Sequence, residues 1–168
     1  SDAEPNAAHK ALTALEKKYK VSIITQNVDN LHERAGSANV LHLHGELFKS
    51  RSTINPRLIY DMKGWELNIG DKCEKGSQLR PNIVWFGEAV PLMQTAASIT
   101  HTADIFMVIG TSLQVYPAAG LLDDVPETAA IYLIDPNVPD IWNQKNITIL
   151  AEKASTGVVK VVEKLLKE

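Results

Sequence analysis

Cysteine is almost absent: Cys73 stands alone among 168 residues. One thiol cannot close an internal disulfide, so the chain fits a reducing cytoplasm. Nor can it supply an all-cysteine zinc site by itself. There is no glycine-rich G-x-G-x-x-G or G-A-G segment of the kind whose amides cradle a phosphate. Long apolar runs are missing too; the longest, around Ile105 to Ile109, is far too short to span a bilayer. Lys and Arg number 17 against 20 Asp and Glu and are scattered, so no basic stripe marks a nucleic-acid partner. No signal peptide opens the sequence, and Ser1 to Glu4 is polar and acidic. Internal repeats and low-complexity tracts are not visible.

What is present reads as a soluble globular protein: 45% apolar and 22% charged residues, enough chain for one domain with an appended module. Val21–Thr25, Asp104–Ile109 and Ala130–Ile134 are short β-rich runs that suit strands of a parallel sheet covered on both faces. Ile147–Leu150 is a weaker fourth. Between them, Ala8, Leu12, Leu15 and Tyr19 recur at helical spacing. Pro91 to Thr102 reads as a second helix with Pro91 in its first turn, and Val158, Val162, Leu165 and Leu166 mark a terminal helix. Alternating strands and helices predict an α/β fold, a Rossmann-like parallel sheet flanked by helices. Phe48 to Pro81 breaks that rhythm. The expected organisation is a core over 1–48 and 81–168, with a small module over 49–80. A doubly wound domain normally begins with a strand and a phosphate-binding turn, whereas this chain opens on a helix, so the expectation is that an N-terminal part is missing.

Four segments could carry chemistry. Thr25–His32 leaves a predicted strand at its carboxyl end, where open α/β sheets bind ligands, and concentrates Gln26, Asn27, Asp29 and Asn30 in one turn. An Asx-rich turn capping the next helix explains the same residues. Leu41-His-Leu-His-Gly45 puts His42 and His44 on one face if extended. Readings open for this pair are a metal site, structural histidines bonded to backbone, and a general base, since imidazole titrates near neutrality. Leu79–Glu88 joins bulky Val84, Trp85 and Phe86 to Gly87 and Glu88; it suits a core strand or an aromatic-lined edge that accepts a peptide by strand addition. Ile109-Gly-Thr-Ser112 ends a strand with amides and hydroxyls that fit a phosphate or ribose, or makes a simple βα turn.

Taken in order, T-Q-N-V-D-N-L-H, H-L-H-G-E, L-R-P-N-I-V-W-F-G-E and I-G-T-S-L-Q-V-Y-P-A-A resemble the sirtuin family, especially its bacterial members. The likeness runs from Pro5-Asn-Ala-Ala-His9 to the terminal helix. The family's N-terminal G-A-G-x-S and G-I-P-x-F-R segments have no counterpart here. The resemblance implies an NAD-dependent protein-lysine deacylase that consumes NAD as a reactant and releases nicotinamide and O-acyl-ADP-ribose. It implies that His44 is the general base and that Gln26, Asn27, Val28 and Asp29 line the nicotinamide and ribose end of the NAD pocket. Gly110, Thr111 and Ser112 would hold the adenosine half, with Asp135, Pro136 and Ala154 as further contacts. Asp135 stands where the family usually has Asn. Val84, Trp85 and Phe86 would form the acyl-lysine tunnel, and the backbone near Gly87 and Glu88 would pair with the substrate strand.

Two departures modify these expectations. The family folds its small module around zinc held by two C-x-x-C pairs. Here the first region reads Arg51-Ser-Thr-Ile-Asn55, and Cys73 has Gly76 where its partner should stand. One thiolate of four cannot make a closed site, so the expectation is no zinc, with packing around Leu58, Tyr60, Trp65 and Leu67 holding the module. The missing glycine-rich loop implies weak NAD binding and little turnover for these 168 residues alone. Two rival functions share the fold: ADP-ribosyl transfer to a protein, and a non-catalytic module that binds ADP-ribose or an extended peptide. The expected partners are acylated lysines in proteins, with neither nucleic acid nor membrane. The resemblance implies that the residues that set acyl preference lie upstream of Pro5.

Overall fold

The computed structural model describes residues 3–111, 116–138 and 146–168. The first helix, α1 (Ala7–Leu15), starts where it does because the Asn6 side chain accepts the Ala8 and His9 amides while His9 Nδ1 accepts the Asn6 N–H. That reciprocal cap satisfies donors the helix cannot pair internally. There follow β1 (Ile23–Thr25), α2 (Leu31–Ala35), β2 (Val40–His42), β3 (Gly45–Ser52), β4 (Ile59–Asp61), β5 (Leu79–Ile83), α3 (Met93–Thr100) and β6 (Ile105–Ile109). A 3-10 turn at Ala118–Asp124, then β7 (Ala130–Ile134), β8 (Ile147–Leu150) and α4 (Ala154–Lys167) complete the chain. β1 and β2 form a two-stranded sheet of their own. The chain divides into two compact units, one of Ser1–Ile23, Leu31–Leu41 and Leu92–Glu168, the other of Ile24–Asn30 and His42–Pro91.

The first unit is α/β and Rossmann-like. β6, β7 and β8 are parallel, with Ile109 opposite Ile134 and Ile134 opposite Leu150 at their carboxyl ends. In the central strand Ile131, Tyr132, Leu133 and Ile134 are all buried, as a strand covered on both faces requires. Tyr132 and Ile134 pack with Ala8, Leu12 and Leu15 of α1 and Val158, Val161, Val162 and Leu165 of α4. Burying each such aliphatic side chain contributes about 1.5–3 kcal/mol relative to leaving it in water. Helix α4 comes close to β7 because Gly157 lacks a Cβ; one placed there would lie 2.5 Å from Ile134 Cγ2.

Local boundaries differ from expectation for identifiable reasons. α1 stops at Leu15, so Tyr19 lies beyond it and instead donates its hydroxyl to Leu165 O at 3.0 Å. α3 spans Met93–Thr100 with Leu92 at its N-cap, leaving Pro91 outside, and Thr102 and Ala103 close tighter turns onto Ile99 and Thr100. Val21 and Ser22 precede β1, and Asp104 precedes β6.

The second unit contains an antiparallel sheet, β4–β3–β5. Ser50 faces Tyr60 on one side, while Arg51 faces Arg80 and Ser52 faces Leu79 on the other. The predicted apolar packing is not what holds this region. Trp65 is 79% exposed, and Leu58, Tyr60 and Leu67 are only half-buried. In this sheet and its loops the buried residues are Ser50, Ser52, Cys73 and Asn82; Thr25, His42 and Leu43 are buried elsewhere in the unit. Hydrogen bonds take the place of a core. Among the described residues no helix is long and apolar enough to cross a membrane.

Candidate active site

The polar turn after β1 is bound to the histidine segment through four successive carbonyls. Thr25 O accepts the Leu43 N–H at 2.9 Å, and Val28 O accepts the Leu47 N–H at 2.7 Å. Between them, Gln26 O meets His44 Nδ1 at 3.1 Å and Asn27 O meets His42 Nδ1 at 3.2 Å. Leu43, buried between the two histidines, anchors the segment. Both imidazoles therefore serve the backbone, but their settings differ: His42 is buried, whereas His44 is half-buried.

A carbonyl oxygen has no proton to give, so each Nδ1 must be the donor. For His44 this selects the neutral tautomer whose Nε2 carries a lone pair. A ring oriented in this way by a backbone carbonyl is suited to take a proton at Nε2. The structural and general-base readings of the pair thus coexist at His44. The metal reading gains no support: both Nδ1 atoms face carbonyls, and no group of three or more His, Cys, Asp or Glu able to hold a metal occurs among the described residues.

Gly45 makes this geometry possible. Its φ is 87°, and a Cβ would lie 1.9 Å from the Asn82 carbonyl oxygen on β5. The close approach lets His44 O accept the Val84 N–H at 2.9 Å. Sequence reasoning passed over Gly45 except as the neighbour of His44; the H-G pair was its only signal. Gln26, Asn27, Val28, Asp29 and His44 are thus brought together with the start of the Val84–Glu88 segment, all within the second unit.

Val84, Trp85 and Phe86 lie beyond β5, not in a core strand; Trp85 is 54% and Phe86 98% exposed. The turn closes through Glu88, whose Oε2 accepts the Trp85 N–H at 3.1 Å. Arg80 and Arg51 bind the same carboxylate. Hydrogen bonding from Arg80, then from the Trp85 amide, lowers the Glu88 pKa to about 2. Arg51 was missed because its partner lies on another segment, and Arg80 because a spacing of eight residues across a turn carries no periodic signal.

The remaining predicted residues gather in the first unit, at the carboxyl ends of its parallel strands. Gly110 follows β6, Asp135 and Pro136 follow β7, and Ala154 opens α4 after β8. Gly110 is exposed, has φ 61°, and has open space where a Cβ would project. Its N–H, however, is spent on Ile134 O at 2.9 Å, so this amide is not offered to a phosphate. Asp135 is buried and accepts the Asn137 N–H at 2.7 Å through Oδ1. Helix α4 has no side-chain cap and no acidic residue in its first turn, leaving a positive N-terminus at this edge. An exposed glycine, a strand-end carboxylate and an uncapped helix start suit the adenosine half of a dinucleotide. Ser112 lies outside the described residues.

Among the described residues, no group of three or more His, Cys, Asp or Glu stands with Cys73 where the family holds zinc. Cys73 Sγ donates to Ser52 Oγ at 3.4 Å, and that hydroxyl also accepts the Ile54 and Asn55 amides at 3.3 Å. The Ser52 hydroxyl carries a proton of its own that it can turn toward the sulfur, and this hydrogen bond to the thiolate lowers the Cys73 pKa from its ordinary value. Thr53 binds Ser77 and Gln78 across the same junction. A hydrogen-bonded clasp occupies the position of the expected ligands.

The sequence pattern of the Sir2 family matches residues 1–117. An NAD-dependent protein deacylase of Bacteroides thetaiotaomicron is 52% identical over 170 residues, covering 98% of this chain and 73% of that protein. A second, from Helicobacter pylori, is 52% identical over 165 residues, covering 97% and 71%. The crystal structure of a Sir2 homologue–NAD complex superposes with a TM-score of 0.86 at 38% identity, covering 99% of this chain and 66% of that one. With residues 1–117 matched by the family's pattern, 98% of the chain aligned to a relative at 52% identity and 99% matched in fold, the chain belongs to the Sir2, or sirtuin, family.

Proposed function

We propose that the protein is an NAD-dependent protein-lysine deacylase in which His44 is the general base. The observation that carries this reading is the Nδ1–H bond of His44 to Gln26 O, which leaves Nε2 as the basic atom beside the polar turn. NAD, when bound, supplies a ribose carbon that exchanges nicotinamide for the acyl-lysine amide oxygen. His44 then accepts a ribose hydroxyl proton at Nε2, because an unassisted hydroxyl is a poor nucleophile toward the acyl carbon. Hydrolysis yields lysine and O-acyl-ADP-ribose. The names and the NAD complex among the relatives support NAD as the co-substrate.

In this reading Gln26, Asn27, Val28 and Asp29 border the nicotinamide and ribose. Gly110, Thr111, Ser112, Asp135, Pro136 and Ala154 hold the adenosine half. Val84–Glu88 receives the acyl-lysine and its flanking strand. Residues 49–80 form a small zinc-free module within a core of 1–48 and 81–168. A reducing cytoplasm suits the lone Cys73.

The test is His44→Ala in the full-length protein, with an acetyl-lysine peptide, NAD and detection of O-acyl-ADP-ribose by mass spectrometry. Loss of general-base catalysis lowers turnover about 10²- to 10⁴-fold. Unchanged turnover removes His44 from the chemistry, and ADP-ribose left on the protein target would mark the transferase reaction instead.

A further inference from the structure

Arg51 on β3 and Arg80 on β5 are directly opposed across the antiparallel ladder. Like charges in that position destabilise a sheet. Here one anion neutralises both. Glu88 Oε1 accepts from Arg80 Nη1 at 2.6 Å, and Oε2 accepts from Arg80 Nη2 at 3.2 Å and Arg51 Nη2 at 3.1 Å. The same Oε2 accepts the Trp85 N–H, and the Glu88 N–H returns to Trp85 O at 3.0 Å. Each guanidinium also reaches Ile83 O, at 3.3 Å from Arg80 and 3.4 Å from Arg51. The Arg51 side chain is only 14% exposed, so this charge is substantially removed from water.

Among the described residues little else fixes the turn. Trp85 and Phe86 are exposed, so packing does not hold them, and β5 ends at Ile83. The Val84 N–H on His44 O secures the near end. Gly87, at φ 86°, lets the chain reverse so that the Glu88 carboxylate returns to the arginines.

We propose that Glu88 is a positioning residue: its carboxylate, clamped between the opposed Arg51 and Arg80, sets the Trp85–Gly87 backbone in the conformation that receives the acyl-lysine strand. The assignment rests on Val84–Glu88 being the substrate-binding segment. Glu88 itself touches no reacting atom. Its loss releases the turn and leaves two facing guanidiniums without their anion.

The experiment uses Glu88→Ala and Glu88→Gln in the full-length protein, with Arg51 and Arg80 intact. Misplacing a binding segment by an ångström costs roughly ten- to a hundredfold, so Glu88→Ala should raise the KM for an acetyl-lysine peptide by at least about tenfold. The KM for NAD and kcat at saturating peptide should stay within about twofold, because His44 keeps its anchor on Gln26. Glu88→Gln, whose amide oxygen still accepts the Trp85 N–H, should recover part of the loss. Formate, entering the vacated anion site, should rescue Glu88→Ala but not the parent. A fall in kcat at unchanged peptide KM would overturn the proposal, as would unaltered kinetics. Amide exchange at Trp85 and Glu88, with anisotropy of a labelled acetyl-lysine peptide, gives a readout independent of turnover. If the parent shows no deacylation the enzymatic reading fails, yet faster exchange and weaker peptide binding in Glu88→Ala still support the clamp, and equal values refute it.

Discussion

His42 and His44 show how two identical side chains two residues apart acquire different work. Both donate Nδ1–H to successive carbonyls of one turn, but His42 is buried and His44 is half-buried. Gly45 turns the chain against β5 immediately after His44. An Ala there needs a left-handed backbone and drives Cβ into the Asn82 carbonyl. Backbone strain and overpacking together should cost about 2–5 kcal/mol. Denaturant unfolding of Gly45→Ala measures it; a loss below about 1 kcal/mol would mean the segment has room to relax.

Among the elements, α4 depends on proximity to β7. Gly157 sits where a methyl would strike Ile134 Cγ2, and Ile134 is fully buried and cannot swing away. Gly157→Ala gains helix propensity of about 1 kcal/mol, but overpacking of a filled core costs about 1–3 kcal/mol. The expected net is a loss of stability, measurable by thermal unfolding, and a stabilised variant would show that the interface yields. The turn after β5 offers an electrostatic counterpart. The Glu88 pKa in the fold is about 2 against 4.5 for a free carboxyl. Its stabilising contribution is thus full above 4.5 and disappears as pH falls through about 2. Protection of the Trp85 amide should therefore persist at pH 3.5; loss of protection with a midpoint near 4.5 would show that the arginines do not hold the carboxylate.

At the scale of the molecule, the two units are built differently. The first buries apolar side chains on both faces of a parallel sheet. The second buries Leu43 and His42 beside the polar turn, but its antiparallel sheet buries mainly hydroxyls, an amide and a thiol, and Ile54, Ile59, Trp65 and Ile69 are exposed. Ser52, Thr53, Cys73, Ser77 and Gln78 join by hydrogen bonds where the family expects a metal. A structural zinc contributes on the order of 10 kcal/mol, so its removal could not pass unnoticed. Melting with and without EDTA should agree within about 2 °C. Stoichiometric zinc in the purified protein, with a large drop on chelation, would overturn this.

The sequence by itself determined the α/β class, the order of the main strands and helices, and the family. Apolar runs such as Ala130–Ile134 and the H-L-H-G and G-T-S segments are local patterns, and local patterns survive in one dimension. Element ends were less legible, because Tyr19 and Pro91 continue a periodicity that tertiary hydrogen bonds and neighbouring turns cut short. Only the tertiary structure decided which histidine nitrogen faces a carbonyl, why position 45 admits nothing but glycine, and that Arg51, Arg80 and Glu88 share one charge centre. Those facts depend on groups from separate strands meeting within hydrogen-bonding distance, and that distance is set by the register of β3 on β5.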